Sequence, residues 1–218
     1  MSVKIAVDGT AGSGKSTICK LISERLGFVF ISTGGFYRSY AYILKKKNLI
    51  NANKEEQIDE LKKHTIEIEG DVFFIDKKNV REQLRDEEIS NLASFLAQKE
   101  YIREYAKNDQ IEFGKKYDNV IMDGRDIGTE IMPDANFKFY FYSSLYERAK
   151  RRKKEIDLLN KNENNPFWKI YIDIYKRDWT DKHRKTAPLK RAKDAIKINT
   201  SKKSIEEVYK TIVSYIGK

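Results

Sequence analysis

Eight consecutive residues near the start constrain this chain more than any others. Gly9-Thr10-Ala11-Gly12-Ser13-Gly14-Lys15-Ser16 fits the pattern G-x-x-x-x-G-K-[ST]. Glycines there let the backbone curl until several N–H groups face one anion, and the following helix points its positive end at the same place. Lys15 then reaches the β- and γ-phosphates of a nucleoside triphosphate, and the Ser16 hydroxyl ligates Mg²⁺. The pattern has force only between a strand and a helix. Lys4–Val7 is a short apolar strand, and Ile18, Leu21, Ile22 and Leu26 recur at helical spacing up to a glycine cap at Gly27. ATP binding is therefore expected from Gly9 to Thr17, with magnesium-dependent phosphoryl transfer as the reaction class.

The remaining pattern alternates strand and helix. Phe28–Ile31, Asn119–Met122, Phe137–Tyr142 and Ala195–Ile198 read as further strands, with amphipathic helices between them. Such alternation predicts an α/β fold: a five-stranded parallel sheet with helices on both faces and ligands at the carboxyl ends of the strands. Thr33-Gly34-Gly35 reads as a turn. The aromatic run Phe137–Tyr142 predicts a strand buried on both faces. Residues about 60–95 break the rhythm: Ile66 and Ile68 alternate with Glu67 and Glu69, and Gly70-Asp71 is a hairpin turn into Val72–Ile75. That predicts a small antiparallel insert. Residues about 153–165 predict a mobile lid, with 160–165 as its loop tip and Pro166 opening the next helix. On that helix Trp168, Tyr171, Ile172, Tyr175 and Trp179 share a helical spacing, which predicts core packing. Ser204–Glu207 has the capping-box spacing for the last helix.

Composition bounds the alternatives. A chain of 218 residues suits one domain with a small insert, and 40% hydrophobic content supplies a core. No uncharged apolar run approaches ~18 residues, so no membrane span is expected. The start has no basic-then-apolar leader, and one cysteine, Cys19, makes no internal disulfide; both point to the cytoplasm. The net charge of +10 suits either nucleic-acid binding or phosphate-holding arginines on a solvated surface. No zinc-finger spacing, RNP-type sequence or basic region joined to leucine heptads accompanies it, and the cluster Lys150–Lys154 points around a helix, not along one stripe.

Further chemistry gathers at the predicted strand ends. Asp123-Gly124-Arg125-Asp126 follows the third strand, where the Asp123 carboxylate can help hold a hydrated metal beside the P-loop. Arg38, Arg125, Arg148, Arg152, Arg177 and Arg184 stand at strand ends and helix starts. Bringing a phosphate acceptor to a triphosphate assembles about six negative charges, and bidentate arginine neutralises them best. His64 and His183 are too sparse for a metal site.

Several segments together carry a resemblance. They are Ile5–Thr17, Thr33–Arg38, Asp123–Thr129, Pro133–Ala135, Glu147–Arg152, Lys176–Arg184 and Ala187–Leu189. They resemble the bacterial cytidylate kinases, a family of nucleoside monophosphate kinases, nearly end to end. The resemblance implies ATP and CMP or dCMP as substrates, Mg²⁺ as cofactor, and a nucleotide-binding role for the insert; a monomer is expected because no helix face is obviously self-complementary. It implies that Lys15, Arg125, Arg148, Arg152 and Arg177 serve catalysis, and that Thr33, Arg38, Arg125, Arg177 and Arg184 surround the acceptor phosphate. Asp181 is implied at the ribose, Ser94, Arg103 and Asp126 at the cytosine, and Ser16 and Asp123 at the metal. Asp and Ser can accept from the cytosine amino group while Arg donates to N3 or O2; uracil inverts that pattern. Two departures stand out: Ser32 where the family usually has Asp, and Trp179-Thr180 in place of a more polar stretch. Two rival readings remain: a P-loop kinase with another small-molecule acceptor, and a basic nucleic-acid-binding protein regulated by ATP.

Overall fold

The computed structural model describes residues 2–159 and 166–217. In chain order the first elements are β1 (Val3–Gly9), α1 (Lys15–Leu26), β2 (Val29–Ser32), α2 (Thr33–Lys46) and α3 (Lys54–Leu61). Next come β3 (Ile66–Glu69), β4 (Val72–Ile75), β5 (Lys78–Asn79), α4 (Glu87–Leu96), α5 (Glu100–Lys115) and β6 (Asn119–Gly124). β7 (Phe137–Tyr142), α6 (Leu145–Leu159), α7 (Phe167–His183), β8 (Ile196–Asn199) and α8 (Ile205–Ile216) follow.

Five strands form the expected parallel sheet in the order β2-β6-β1-β7-β8. Alternate residues of β1 face opposite layers, as the two-residue period of a strand requires. Ile5 and Val7 pack with Phe139, Phe141, Ile18 and Ile22 of α1, and Val208 and Ile212 of α8. Ala6 faces the other layer, where Met122, Phe36 and Tyr40 of α2 and Ile102 and Phe113 of α5 meet. Cys19 is fully buried among the first group, as an apolar helix residue. Because all five strands run the same way, the segments after Gly9, Ser32, Gly124 and Tyr142 emerge along one edge.

The antiparallel insert is present as a three-stranded sheet, β3-β4-β5, with Glu69 opposite Val72 across the Gly70-Asp71 turn. Asp86 caps α4 by accepting from the Glu88 N–H at 2.8 Å. An ion pair from Lys20 of α1 to Asp71, 2.9 Å, ties the hairpin tip to the core.

Three expectations are corrected here. Thr33-Gly34-Gly35 is not a turn: the chain enters α2 directly from Ser32. Gly35 serves packing instead, since a Cβ there would lie 2.2 Å from the Phe73 ring. Phe36 meets that same ring edge-on, centroids 5.5 Å apart. Gly35→Ala should cost ~1–3 kcal/mol by overpacking, read as a lower denaturant midpoint; an unchanged midpoint would mean that β4 does not rest on α2. Second, β7 is fully buried on one face only. Phe139 and Phe141 are in the core, but the opposite apolar layer contains no β7 residue, so Lys138, Tyr140 and Tyr142 are only half-buried.

Third, the aromatic stripe of α7 is not core. Trp168 is 64% exposed, and Tyr171, Ile172, Tyr175 and Trp179 are exposed with it. The periodicity does place them on one side, but α7 packs on α6 and the P-loop through the other, where Ile170 and Asp178 are buried. Residues 153–159 of the expected lid segment are the last turns of α6; 160–165 lie outside the described residues. Among the described residues no helix is long and apolar enough to cross a membrane.

Candidate active site

The P-loop leaves β1 pressed against β7. Gly9 has φ +148°, and a Cβ there would sit 2.0 Å from the Phe141 carbonyl oxygen. Thr10 N–H donates to that carbonyl at 3.3 Å. The Ser13 hydroxyl donates to Thr10 O at 2.8 Å, and Thr200 Oγ1 donates to Ser13 O at 2.8 Å. Gly14 precedes α1 with no side chain to cap it, and the first turn carries no acid. The amide end of α1 is thus left for an anion; Gly12, Ser16 and Thr17 stand at the accessible side of the loop.

Lys15 is buried and donates to Gly9 O at 3.0 Å and Thr10 O at 2.8 Å. Burial, and then the Arg125 charge, push its pKa down to about 7, against the opposing pull of Asp123 and Asp8. A lysine pKa lowered in the fold means that the protonated form is disfavoured there; stability rises with pH between about 7 and the ordinary lysine value. A bound triphosphate reverses that preference. ATP binding at pH 8 should therefore take up roughly one proton per site, measured by calorimetry in buffers of different ionisation heat. The uptake should vanish in Lys15→Ala; equal heats in all buffers for the unaltered protein would contradict it.

Ser16 Oγ donates to the Asp123 carboxylate, and Thr33 Oγ1 donates to the Asp123 carbonyl at 2.7 Å. Among the described residues no group of three His, Cys, Asp or Glu side chains could hold a metal. A hydroxyl and a carboxylate oxygen beside a phosphate cradle nevertheless fit Mg²⁺, which takes one or two protein oxygens and fills its shell with water and phosphate.

The arginines meet across the cleft from β6 and α7. Arg125 Nε donates to Asp181 Oδ2 at 2.7 Å, and Asp181 also lies 3.7 Å from Arg184. Burial opposes the Asp181 charge, but Arg125, Arg177 and Arg184 together hold its pKa below the ordinary carboxylate range. Arg177 is exposed along its length, but the protein packed around its guanidinium, and then the neighbouring Arg125 charge, lower its pKa to about 10, with Arg38 adding to the repulsion. Arg38 lines a cavity of about 610 Å³ with Ser16, Ser32 and, from the insert, Arg85. The buried Arg38 Nε has no hydrogen-bond partner. Asp126 pairs with Arg103, and Arg184 approaches its other oxygen at 3.5 Å. Arg103 and Arg184 line a second cavity of about 410 Å³, together with Trp179, whose ring stacks on His183 at 4.5 Å. The half-buried Ser94 donates to Ser90 O at 3.0 Å, leaving its oxygen as an acceptor.

Two of the expected catalytic residues do not join this group. Arg152 is exposed and pairs with Glu155 at 3.2 Å, one turn along α6. Arg148 is buried, and its Nε and NH1 are held by protein: it donates to Ser143 O at 3.1 Å and Ala11 O at 2.9 Å and pairs with Asp178 at 2.6 Å. Two buried carboxylates went unread in the sequence. Asp8 accepts from Ile127 N–H and Gly128 N–H, each at 2.8 Å, and so fixes the loop after β6. Burial raises its pKa to about 6 against those two bonds. Asp178 accepts from Ala11 N–H at 3.2 Å. The Arg-Asp pair at 177–178 was visible, but its partner 167 residues away was not.

A parallel sheet with a P-loop at its centre, an arginine-lined cleft at its carboxyl edge and a small antiparallel insert define a P-loop kinase. The fold is similar to a solved shikimate kinase from Bacteroides thetaiotaomicron, with a TM-score of 0.53 over 100% of both chains at 15% identity, a likeness of fold alone. The cytidylate kinase family model matches residues 5–218, and the chain belongs to that family. Cytidylate kinase from Clostridioides difficile (strain 630) is 39% identical over 98% of this chain and 97% of its own length. Cytidylate kinase from Ureaplasma urealyticum serovar 10 is 41% identical over 94% of this chain and 91% of its own.

Proposed function

We propose that this protein transfers the γ-phosphoryl group of ATP to CMP or dCMP, giving ADP and CDP or dCDP. The observation that carries the reading is the uncapped N-terminus of α1 with Lys15, close enough to Arg125 and Asp181 to feel their charges, while Asp181 in turn meets Arg125 and Arg184. Gly9 to Thr17 hold the triphosphate. Thr33, Arg38, Arg125, Arg177 and Arg184 hold the acceptor phosphate, Asp181 the ribose, and Ser94, Arg103 and Asp126 the cytosine. Ser16 and Asp123 hold Mg²⁺, partly through water; when bound, it neutralises charge on the β- and γ-phosphates.

The chemistry needs little beyond placement. At neutral pH the acceptor phosphate is already an anionic nucleophile, so no strong general base is required. Lys15 follows the charge of the transferring group, while Arg125 and Arg177 offset the repulsion between the two anions. The insert at about 60–95 closes over the acceptor, and the lid that begins at residue 153 in the last turns of α6 closes over the donor, excluding water that would otherwise hydrolyse ATP. The protein works as a cytoplasmic monomer without a nucleic-acid partner; Arg125 and Arg184 direct their charge to Asp181 and Asp126 within the site.

A coupled assay with Mg²⁺-ATP and CMP, dCMP, UMP, AMP or GMP tests this reading. CMP and dCMP should turn over fastest. Preference for another nucleotide would assign a different acceptor; no turnover of any, with salt-sensitive oligonucleotide binding, would favour the nucleic-acid-binding alternative.

A further inference from the structure

One peptide unit of the P-loop is gripped from both ends by the same ion pair. The Ala11 N–H donates to Asp178 Oδ1 at 3.2 Å, and the Ala11 carbonyl accepts from Arg148 NH1 at 2.9 Å. Arg148 NH1 and Asp178 Oδ2 are 2.6 Å apart, and Arg148 Nε donates to Ser143 O at 3.1 Å. The side chains of Arg148 and Asp178 are only 5% and 11% exposed. Four segments thus meet at one point: the P-loop, the end of β7, α6 through Arg148, and α7 through Asp178.

The position of Asp178 on α7 gives this knot its meaning. It follows Arg177 directly and precedes Asp181 and Arg184 by one and nearly two turns. α7 is therefore bolted to the donor loop within the same stretch of helix that carries the acceptor groups. A shift of α7 along its axis would break the Ala11 bond, and a shift of the P-loop would pull on α7. α7 has a second tie to the sheet in the Arg125–Asp181 pair at 2.7 Å, but that one leads to the loop after β6, whereas Asp178 leads to the P-loop; the aromatic side of the helix faces solvent, and Ile170 is its other buried residue. Buried ion pairs add little net stability over apolar side chains of similar size, so the pair is better explained by the geometry it fixes than by the energy it adds.

We infer that Asp178 and Arg148 are positioning residues that set the distance between the donor phosphates and the acceptor arginines by clamping the Ala11 peptide to α7. Neither touches substrate in this role. The inference rests on the CMP kinase reading above and deepens it: transfer to the nucleotide, in preference to water, depends on the clamp. Displacing reactants by about an ångström costs up to about 100-fold in rate, while binding of each substrate alone does not need the spacing.

The test compares the unaltered protein with Asp178→Asn and with the double variant Arg148→Met/Asp178→Leu, which replaces the ion pair by apolar groups of similar bulk. The assay follows CDP and free phosphate together from Mg²⁺-ATP and CMP, beside KM for each substrate and a thermal melt. Both variants should lose at least about tenfold in kcat for CDP, with KM little changed and a larger share of the γ-phosphoryl going to water. The double variant should melt as the unaltered protein does. If it melts normally and keeps kcat and the CDP-to-phosphate ratio, the pair is merely structural and the inference is overturned, whatever Asp178→Asn does. Should the unaltered protein make no CDP, the CMP kinase reading itself fails and the inference falls with it, a result told apart from the first by the missing product of the unaltered protein.

Discussion

Lys15→Ala should cut kcat/KM for ATP-dependent phosphorylation of CMP by roughly 100- to 1000-fold, a loss of ~3–4 kcal/mol of transition-state stabilisation. Lys15 is the buried cation of the P-loop, and its Nζ occupies the mouth of the cradle, bonded to Gly9 O and Thr10 O. Those carbonyls hold it ready without satisfying its charge, which is why burial and Arg125 bring its pKa to about 7. An incoming triphosphate supplies the missing counter-charge and draws the side chain outward. Alanine leaves the backbone cradle intact, so ATP should still bind, and the deficit should fall mainly on kcat. Steady-state kinetics with a folded control by circular dichroism checks this. Turnover near that of the unaltered protein would remove Lys15 from the mechanism.

Asp126→Asn should lower kcat/KM for CMP by about 30- to 100-fold, ~2–3 kcal/mol, and lower that for UMP much less. Asp126 is an acceptor on both oxygens, one facing Arg103 and the other 3.5 Å from Arg184. A carboxylate has about four lone-pair sites, so acceptor capacity remains for a cytosine amino group. An asparagine keeps the shape but turns one oxygen into a donor, which opposes that amino group and suits the uracil oxygen. The change also leaves Arg103 and Arg184 less well paired in a buried place, so some stability should be lost. The ratio of CMP to UMP, unlike stability, isolates the base contact. Equal losses for both nucleotides would show that Asp126 acts only as a counter-ion.

Features written in contiguous residues were legible from the sequence. The P-loop, the Gly27 cap and the capping box at Ser204 each depend on neighbours within a few positions. In that last case Ser204 N–H and Glu207 Oε2 meet at 2.7 Å, and Glu207 N–H and Ser204 Oγ at 3.2 Å. The parallel sheet followed from alternation, because strands separated by helices join by crossovers; the order of its strands did not. What stayed hidden depends on distant partners. Gly35 reads as a turn until Phe73 is set beside it. Arg148 reads as a phosphate ligand until Ala11 O, Ser143 O and Asp178 are found around it. The aromatic spacing on α7 correctly identifies one face, but spacing cannot say whether a face meets the core or water. The roles implied by family resemblance, those of Asp181 and Arg184 among them, rest on a pattern of segments and do not follow from local physics.

The account stands on direct transfer between two anions held in one cleft. ATP made chiral at its γ-phosphorus with oxygen isotopes tests it most directly, by following the stereochemistry of the phosphoryl group into CDP. A single in-line step between bound partners predicts inversion at phosphorus. Retention, which requires a covalent enzyme intermediate, or the absence of labelled CDP, would contradict it.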